Sequence, residues 1–341
     1  MPTVAPLWLQ STWLVLLLGA SATAKEGTFK LRGQIRPALR TFVFLTSHDV
    51  SFADRAISSR KGRFKFKKIQ PGTYTITLFH PYWGETRRTI EITGSFADEE
   101  GRIDVSVPFR FSERGRKRML LRRTLVSAKQ LSVSSRAWRE LRMARRRLSK
   151  DDAAAAIAHL EKAVEISPQF MIAWNFLGKI AYRERQFGKA EEYFRKALGE
   201  DPEAYAPTVN LGATLLALGR YDEALPYNWA AAQMRPDDAL VNSQAGVNYF
   251  FLRNYQEAEQ RLLKVKHLDP SHFTNPQLVL AQVYQIQGRF EEAIVELREF
   301  LARHPDSAST GRIRLAIEEL ENGSRNRRPI PRTATREPAS R

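Results

Sequence analysis

Two hydrophobic patterns divide the chain. Over residues 28–111 apolar and polar positions alternate, as where Lys65 separates Phe64 from Phe66. Strict alternation predicts β-strands that bury one face and expose the other. Short strands separated by Gly and Pro turns favour a small antiparallel β-sandwich. From about residue 137 the apolar residues take the spacing of amphipathic helices and keep it to Asn322, so the fold class is multidomain, with an all-α part after the sandwich.

The helical part contains an internal repeat. Its prolines recur at intervals of 34, 34, 34 and 35 residues, at Pro168, Pro202, Pro236, Pro270 and Pro305. A period of 34 residues is typical of tetratricopeptide repeats, which are pairs of antiparallel helices. Residues 171–204 resemble that family most, since Trp174, Leu177, Gly178, Ala190, Phe194, Ala197 and Pro202 occupy its signature places.

The resemblance implies five such units over residues 137–322, the first degenerate, and a capping helix over residues 310–320. A small residue on each first helix, such as Gly178, and another on each second helix, such as Ala190, let the two helices approach closely. One helix pair cannot bury its apolar face alone, so successive units stack into a superhelix.

One motif in the alternating region is specific. The string Gly62-x-Phe64-x-Phe66-x-x-Ile69-x-Pro71-Gly72-x-Tyr74-x-Ile76-x-Leu78 resembles the carboxypeptidase regulatory-like domain. That family has a seven-stranded, prealbumin-like β-sandwich. Its members are accessory folding or binding modules without catalytic residues, so the resemblance implies a sandwich over residues 25–111 and no reaction.

The tetratricopeptide resemblance also implies a binding groove. In that family the ligand lies against the first helices of the units. The ligand-facing positions of those helices correspond here to Asn175, Lys179, Tyr182, Arg183, Val209, Ala213, Leu216, Ser243, Val247, Phe250, Phe251, Leu278, Gln282, Gln285 and Ile286. Such a groove begins polar and basic and becomes apolar. Phe250 and Phe251 have an alternative role as partly buried packing residues.

One specialised ligand of the family is not expected. Relatives that bind chaperone tails clamp a terminal carboxylate with Lys and Asn side chains. Here Val209 and Ala213 stand where polar residues would be needed. The predicted partner is therefore a protein or peptide of unknown identity.

The net charge of +17 is unevenly distributed. Residues 110–150 carry fifteen Lys or Arg and two Asp or Glu, whereas residues 151–322 carry eighteen basic and twenty-five acidic residues. A linker over residues 112–136 and a tail over residues 323–341, predicted to be disordered, hold much of the positive charge. The basic segment either contacts an anionic membrane surface or forms a solvated helix face; it lacks the interleaved aromatic residues of a single-strand binder, so nucleic acid is not an expected partner.

The amino terminus predicts export. The first 24 residues carry no charged side chain, and a dense apolar run ends in Ala22-Thr23-Ala24, the pattern of a cleaved signal peptide. The alternative is an uncleaved membrane anchor, because about 20 apolar residues can span a bilayer.

No enzymatic signal accompanies these features. The chain has no cysteine, its six histidines form no pair at a metal-binding spacing, and no phosphate-binding loop or nucleophile motif occurs. We therefore expect no catalytic residues, metal or cofactor. The sequence predicts an exported, non-enzymatic adaptor, periplasmic or secreted, with a structural envelope protein on an anionic surface as the alternative.

Overall fold

The computed structural model of the protein describes residues 28–47, 53–80, 84–109 and 132–327. The predicted signal peptide over residues 1–24 lies outside these ranges. So do most of the basic linker and residues 328–341 of the predicted tail.

The N-terminal region is a β-sandwich of two sheets. Its strands are β1 (Phe29–Arg36), β2 (Phe42–Ser47), β3 (Ala53–Ile57), β4 (Arg63–Ile69), β5 (Gly72–His80), β6 (Gly84–Ile92) and β7 (Arg102–Pro108). The sheets have the orders β4-β1-β7 and β3-β2-β5-β6. The neighbouring strands pair antiparallel except β1 and β7, which run parallel.

Alternation along each strand builds the sandwich core. In β4, Phe64 and Phe66 are buried while Lys65 between them is exposed, as the pattern predicts. Gly33 in β1 is the cross-strand partner of Phe64, and a Cβ atom added at Gly33 would lie 1.9 Å from the Phe64 ring. The aromatic ring therefore occupies the space that the glycine leaves open.

Residues 132–327 form the helical array. Its helices are α1 (Ser135–Leu148), α2 (Ala153–Ile166), α3 (Met171–Arg183), α4 (Phe187–Glu200), α5 (Tyr205–Ala217), α6 (Tyr221–Met234), α7 (Ala239–Phe251), α8 (Tyr255–Leu268), α9 (Pro276–Ile286), α10 (Phe290–Arg303) and α11 (Thr310–Arg327). These are five helix pairs and a final helix, which continues past Asn322 to Arg327. Within the described part of the chain, no helix combines the length and apolarity needed to cross a bilayer.

Small residues set the spacing of the helices within each pair. Ala190 and its equivalents in the following units are fully buried. A Cβ atom added at Gly178 would lie 2.5 Å from the ring of Phe194. The side chain that packs against Gly178 is therefore Phe194, which lies four residues after Ala190. In unit 3 (helices α5 and α6) that position is Asn228, which is fully buried and donates a 2.9 Å hydrogen bond to Asn248 Oδ1 in unit 4 (α7 and α8).

The units curve towards their first helices. Helix α3 contacts α5, α5 contacts α7, and α7 contacts α9, so successive first helices lie side by side. Each second helix packs mainly on the first helix of its own unit and of the next. The first helices thus line the inner, concave side. Two ion pairs repeat between units, Arg220 Nη1 to Glu191 at 2.6 Å and Arg289 Nη1 to Glu259 at 2.8 Å.

The sandwich docks on the array through strand β6. This strand is an edge of its sheet, with β5 as its paired neighbour. An exposed edge is a row of unpaired backbone groups that folded proteins commonly cover. Here the cover is the series of turns that join one helix pair to the next. Thr89 donates its backbone N–H to Asp269 Oδ2 at 2.9 Å, and both residues are buried.

Side chains extend this contact along the strand. Arg87 Nη1 lies 3.4 Å from Asp238 Oδ2, His304 Nδ1 lies 2.7 Å from Glu91 Oε2, and Ser95 donates to Asp306 Oδ1 at 2.7 Å just beyond the strand. Asp238, Asp269 and His304 belong to three successive turns of the array. The contacts thus fix the sandwich beside units 3 and 4 and beside the fifth unit, the pair α9 and α10.

Two helical glycines of unit 2 (α3 and α4) give a test of the packing. Gly178→Ala should destabilise the array by about 1–3 kcal/mol, because the new Cβ atom overpacks the site against Phe194. Gly199→Ala is the control: a Cβ atom there meets nothing within 4 Å, so the change should stabilise helix α4 by up to about 1 kcal/mol. Urea unfolding followed by circular dichroism measures both. Equal effects of the two substitutions would contradict the close approach.

A second test addresses the docking contact. Asp269→Ala removes the acceptor of a buried N–H group, which should cost about 1–3 kcal/mol and speed amide hydrogen exchange at Thr89. Asp269→Asn keeps an acceptor oxygen, so it should lose less stability and less protection from exchange at Thr89. Asp237→Ala, at an exposed position of the preceding turn, is the matched control and should leave exchange at Thr89 unchanged. Unaltered protection of Thr89 in Asp269→Ala would rule the contact out.

Candidate functional site

The predicted groove positions differ in how open they are. The first of them in each unit, Asn175, Val209, Ser243 and Leu278, are buried. Two of these side chains bond to the next unit: Asn210 Nδ2 donates to Asn175 Oδ1 at 2.9 Å, and Ser243 Oγ lies 2.6 Å from Thr274 Oγ1. This row therefore joins neighbouring units and offers little surface to a ligand.

Later positions on the first helices are more open. Lys179, Tyr182 and Arg183 in unit 2 are exposed, and so is Ile286 in unit 5 (α9 and α10). The others of this group are half-buried, and they are Ala213, Leu216, Val247, Phe250, Phe251, Gln282 and Gln285. The exposed cations of the predicted groove therefore lie at its unit 2 end.

The two phenylalanines of unit 4 also take part in packing. The Phe251 ring stacks on Tyr221 with centroids 4.3 Å apart and planes 3° from parallel. The Phe250 ring lies 5.5 Å from Phe251 and 6.1 Å from Tyr255. Any ligand contact with these rings would share them with the contacts between units 3 and 4.

A recess opens between helices α3 and α5. Its volume is about 110 Å³, and it is lined by Lys179, Tyr182, Phe194, Asn210 and Ala213. A cavity that holds one water molecule has a volume of roughly 10–15 Å³ when it is measured in the same way, so the recess can admit a small side chain. Three of these lining residues, Lys179, Tyr182 and Ala213, are among the predicted groove positions.

Protein surrounds this recess even though its side chains remain accessible. Desolvation by the surrounding atoms lowers the pKa of Lys179, and the charges of Arg87 and Arg183 lower it further. Desolvation also raises the pKa of the Tyr182 hydroxyl. Arg183 has an acidic neighbour in Asp151, 3.9 Å away, whereas no carboxylate of the described residues lies within ion-pair distance of Lys179.

Sequence reasoning did not find Arg87, Tyr205 or Asn210. Tyr205 donates to Asp238 Oδ2 at 2.9 Å, the Arg235 guanidinium lies 3.9 Å above the Tyr205 ring, and Arg87 contacts the same carboxylate. The alternating pattern of β6 could show that Arg87 is on an outer face. It could not show which part of the array that face would meet.

A second recess has the opposite electrostatic character. It measures about 270 Å³ and is lined by Tyr284, Glu291, Glu292, Ile294, Val295, Glu296 and Arg298 of unit 5. Burial, followed by the charge of Glu259, raises the pKa of Tyr284 to about 12. In the described ranges no group of three or more His, Asp or Glu side chains could hold a metal ion.

Comparison with known proteins identifies the repeats. A profile described as tetratricopeptide repeat matches residues 141–205 and 181–239, and a second profile of that description matches residues 277–307. Anaphase-promoting complex subunit 3 of Schizosaccharomyces pombe is 25% identical over 154 residues, which are 45% of this chain and 23% of that protein. Anaphase-promoting complex subunit CDC16 of Saccharomyces cerevisiae is 27% identical over 184 residues, which are 51% of this chain and 22% of that protein. The alignments thus span less than a quarter of these relatives.

Two solved structures are also similar. YrrB, described as a TPR protein with an unusual peptide-binding site, is 21% identical and has a TM-score of 0.48, with 57% of this chain and 98% of that chain covered. MamA of Desulfovibrio magneticus RS-1 is 18% identical and has a TM-score of 0.48, with 51% of this chain and 98% of that chain covered.

The profile matches, the 34-residue period and the paired helices agree with one another. The helical part of this chain is accordingly a superhelix of tetratricopeptide repeats that follows an N-terminal β-sandwich.

Proposed function

We propose that this protein is a non-enzymatic scaffold that binds a peptide or a domain of a partner protein on the concave side of its array. Tetratricopeptide superhelices are protein–protein interaction scaffolds, and their stacked units form extended concave binding surfaces. The observation that carries the proposal is the accessible recess beside Lys179 and Tyr182 on the inner side of unit 2. The two curated relatives are named as subunits of a protein complex, which agrees with a partner-binding role.

The proposal includes a role for the sandwich and a location. Its alternating strands and the Gly62–Leu78 motif support an accessory module like the carboxypeptidase regulatory-like domain. The uncharged apolar segment before Lys25 supports export into a periplasm or the medium. The alternative of an envelope protein on an anionic surface depends on the basic linker, most of which lies outside the described residues, and it stays a prediction.

A pair of aromatic positions tests the binding side. A photo-crosslinking amino acid at Tyr182, exposed on a first helix, should capture a partner protein in cells of the source organism. The same amino acid at Trp229, exposed on the second helix of unit 3, should not, because second helices lie on the outer side. Mass spectrometry of the adducts identifies the partner. Capture at Trp229 without capture at Tyr182 would contradict the proposal, because the partner would then bind the outer side of the array.

The location has a separate test. If the N-terminal segment is a cleaved signal peptide, the mature chain should begin at Lys25 and be recovered outside the cytoplasm. Intact-mass measurement of the protein purified from its source, after fractionation of the cells, checks both points. A mass that includes residues 1–24, found in the membrane fraction, would favour the uncleaved anchor.

A further inference from the structure

Arg87 of strand β6 lies at the contact between the sandwich and the array. The core residues Ile90 and Ile92 fix the inner face of β6, so Arg87 and Thr89 extend from the outer face of the four-stranded sheet. Arg87 approaches Asp238, which begins helix α7, and its charge contributes to the lowered pKa of Lys179 on helix α3. Arg87 of the sandwich, at the contact with helix α7, and Lys179 of the array, in the recess, are therefore close enough for their charges to interact.

These cations keep hydrogen-bonding capacity for a ligand. Arg87 uses Nε for Glu85 at 2.5 Å and Nη1 for Asp238 at 3.4 Å, and a guanidinium has five N–H donors. In the described ranges Lys179 has no carboxylate within ion-pair distance; its ammonium lies 5.7 Å from the centroid of the Phe176 ring. A carboxylate brought between Arg87 and Lys179 would relieve their mutual repulsion.

The outer face of the sheet adds apolar surface close to Arg87. The cross-strand register aligns Ile57, Phe42 and Phe79 with Glu85, and places Phe44 two strands from Arg87. Phe42 and Ile57 are 43% and 58% exposed, which is high for residues of this size in a sheet. An apolar row thus ends at the strand that touches the array.

We infer that the β-sandwich and the array share one ligand cleft, which takes an acidic segment of a partner protein that also carries apolar side chains. Arg87 and Lys179 bind its carboxylates, and the row of Phe42, Phe44 and Phe79 contacts its apolar residues. The inference rests on the proposed function and adds to it the chemistry of the partner and a direct role for the sandwich.

Charge and shape favour a peptide over other anionic ligands. Glu85 and Asp238 flank Arg87, so the cations here alternate with carboxylates and do not form the continuous basic surface that a polyanion such as nucleic acid requires. The array as a whole carries seven more acidic than basic residues over residues 151–322, so its net charge does not favour binding of a polyanion. Because the recess lies between first helices on the inner side of the array, an extended peptide fits it better than a flat membrane surface does.

Peptide selection tests the inference. A random peptide library displayed on phage is selected on the full chain and, in parallel, on the Arg87→Gln/Lys179→Gln double variant. We expect the wild-type chain to enrich peptides rich in Asp and Glu with nearby aromatic or aliphatic residues, and the double variant to lose this enrichment. Enrichment without an excess of acidic residues would overturn the inference.

Fluorescence anisotropy with one selected peptide then separates the two cations. Arg87→Gln and Lys179→Gln should each weaken binding about ten-fold, the size expected for one hydrogen-bonded charge contact. If Arg87 and Lys179 contact the same carboxylates, the double variant should weaken binding by less than the product of the two single-variant factors. Arg63→Gln on β4 and Lys189→Gln on α4, both exposed cations away from the cleft, should leave affinity unchanged.

Two controls keep the result interpretable. Arg87→Lys retains the charge and the docking with Asp238, so it should recover part of the affinity if the charge matters. Circular dichroism establishes that each variant is folded. If Arg87→Gln binds as tightly as Arg63→Gln, the sandwich is not part of the site. Crosslinking of a partner at Tyr182 together with that result would leave the proposed scaffold function intact and overturn only the shared cleft.

Discussion

The turns between helix pairs are the constraint on which the rest of this structure depends. Each turn ends one unit and starts the next, and a proline close to it prevents the preceding helix from continuing. Because the turns recur every 34 or 35 residues, they align along one edge of the superhelix. That alignment gives strand β6 a row of partners, Asp238, Asp269 and His304, at successive places along its length. A single helix pair could not have covered the edge of the sheet in this way.

Much of this fold could be predicted from residue patterns, because the patterns are local. The alternation around Phe64 specifies a half-buried strand wherever the strand lies, and the small residue at Gly178 specifies a close helix approach within one unit. The parallel pairing of β1 with β7 was not predictable in the same way, since it joins segments about 70 residues apart and leaves no periodic signal. The tetratricopeptide signature also did not predict the role of Asn228, a buried amide that takes the place held by Phe194 in unit 2.

The candidate site shows the same division between local and non-local information. Repeat position places Lys179 and Tyr182 on the inner side of a first helix, and the structure puts both beside an accessible recess. Repeat position also selects Asn175 and Ser243, but these side chains bond to the following unit and are buried. Whether a given position is open depends on how tightly neighbouring units stack. The contribution of Arg87 depends on the docking of another domain, which no repeat pattern encodes.

Docking through a sheet edge has a consequence for binding that packing through an apolar face would not have. The contact includes one backbone hydrogen bond and several polar side-chain contacts, and among the described residues the apolar core of the sandwich contains no side chain of the array. The outer face of the four-stranded sheet keeps Phe42 exposed and Phe44 half-buried, on the same face of the sheet as Arg87. A protein built in this way positions apolar and cationic surface from two domains at one place, because the polar docking contacts hold them in a fixed relation.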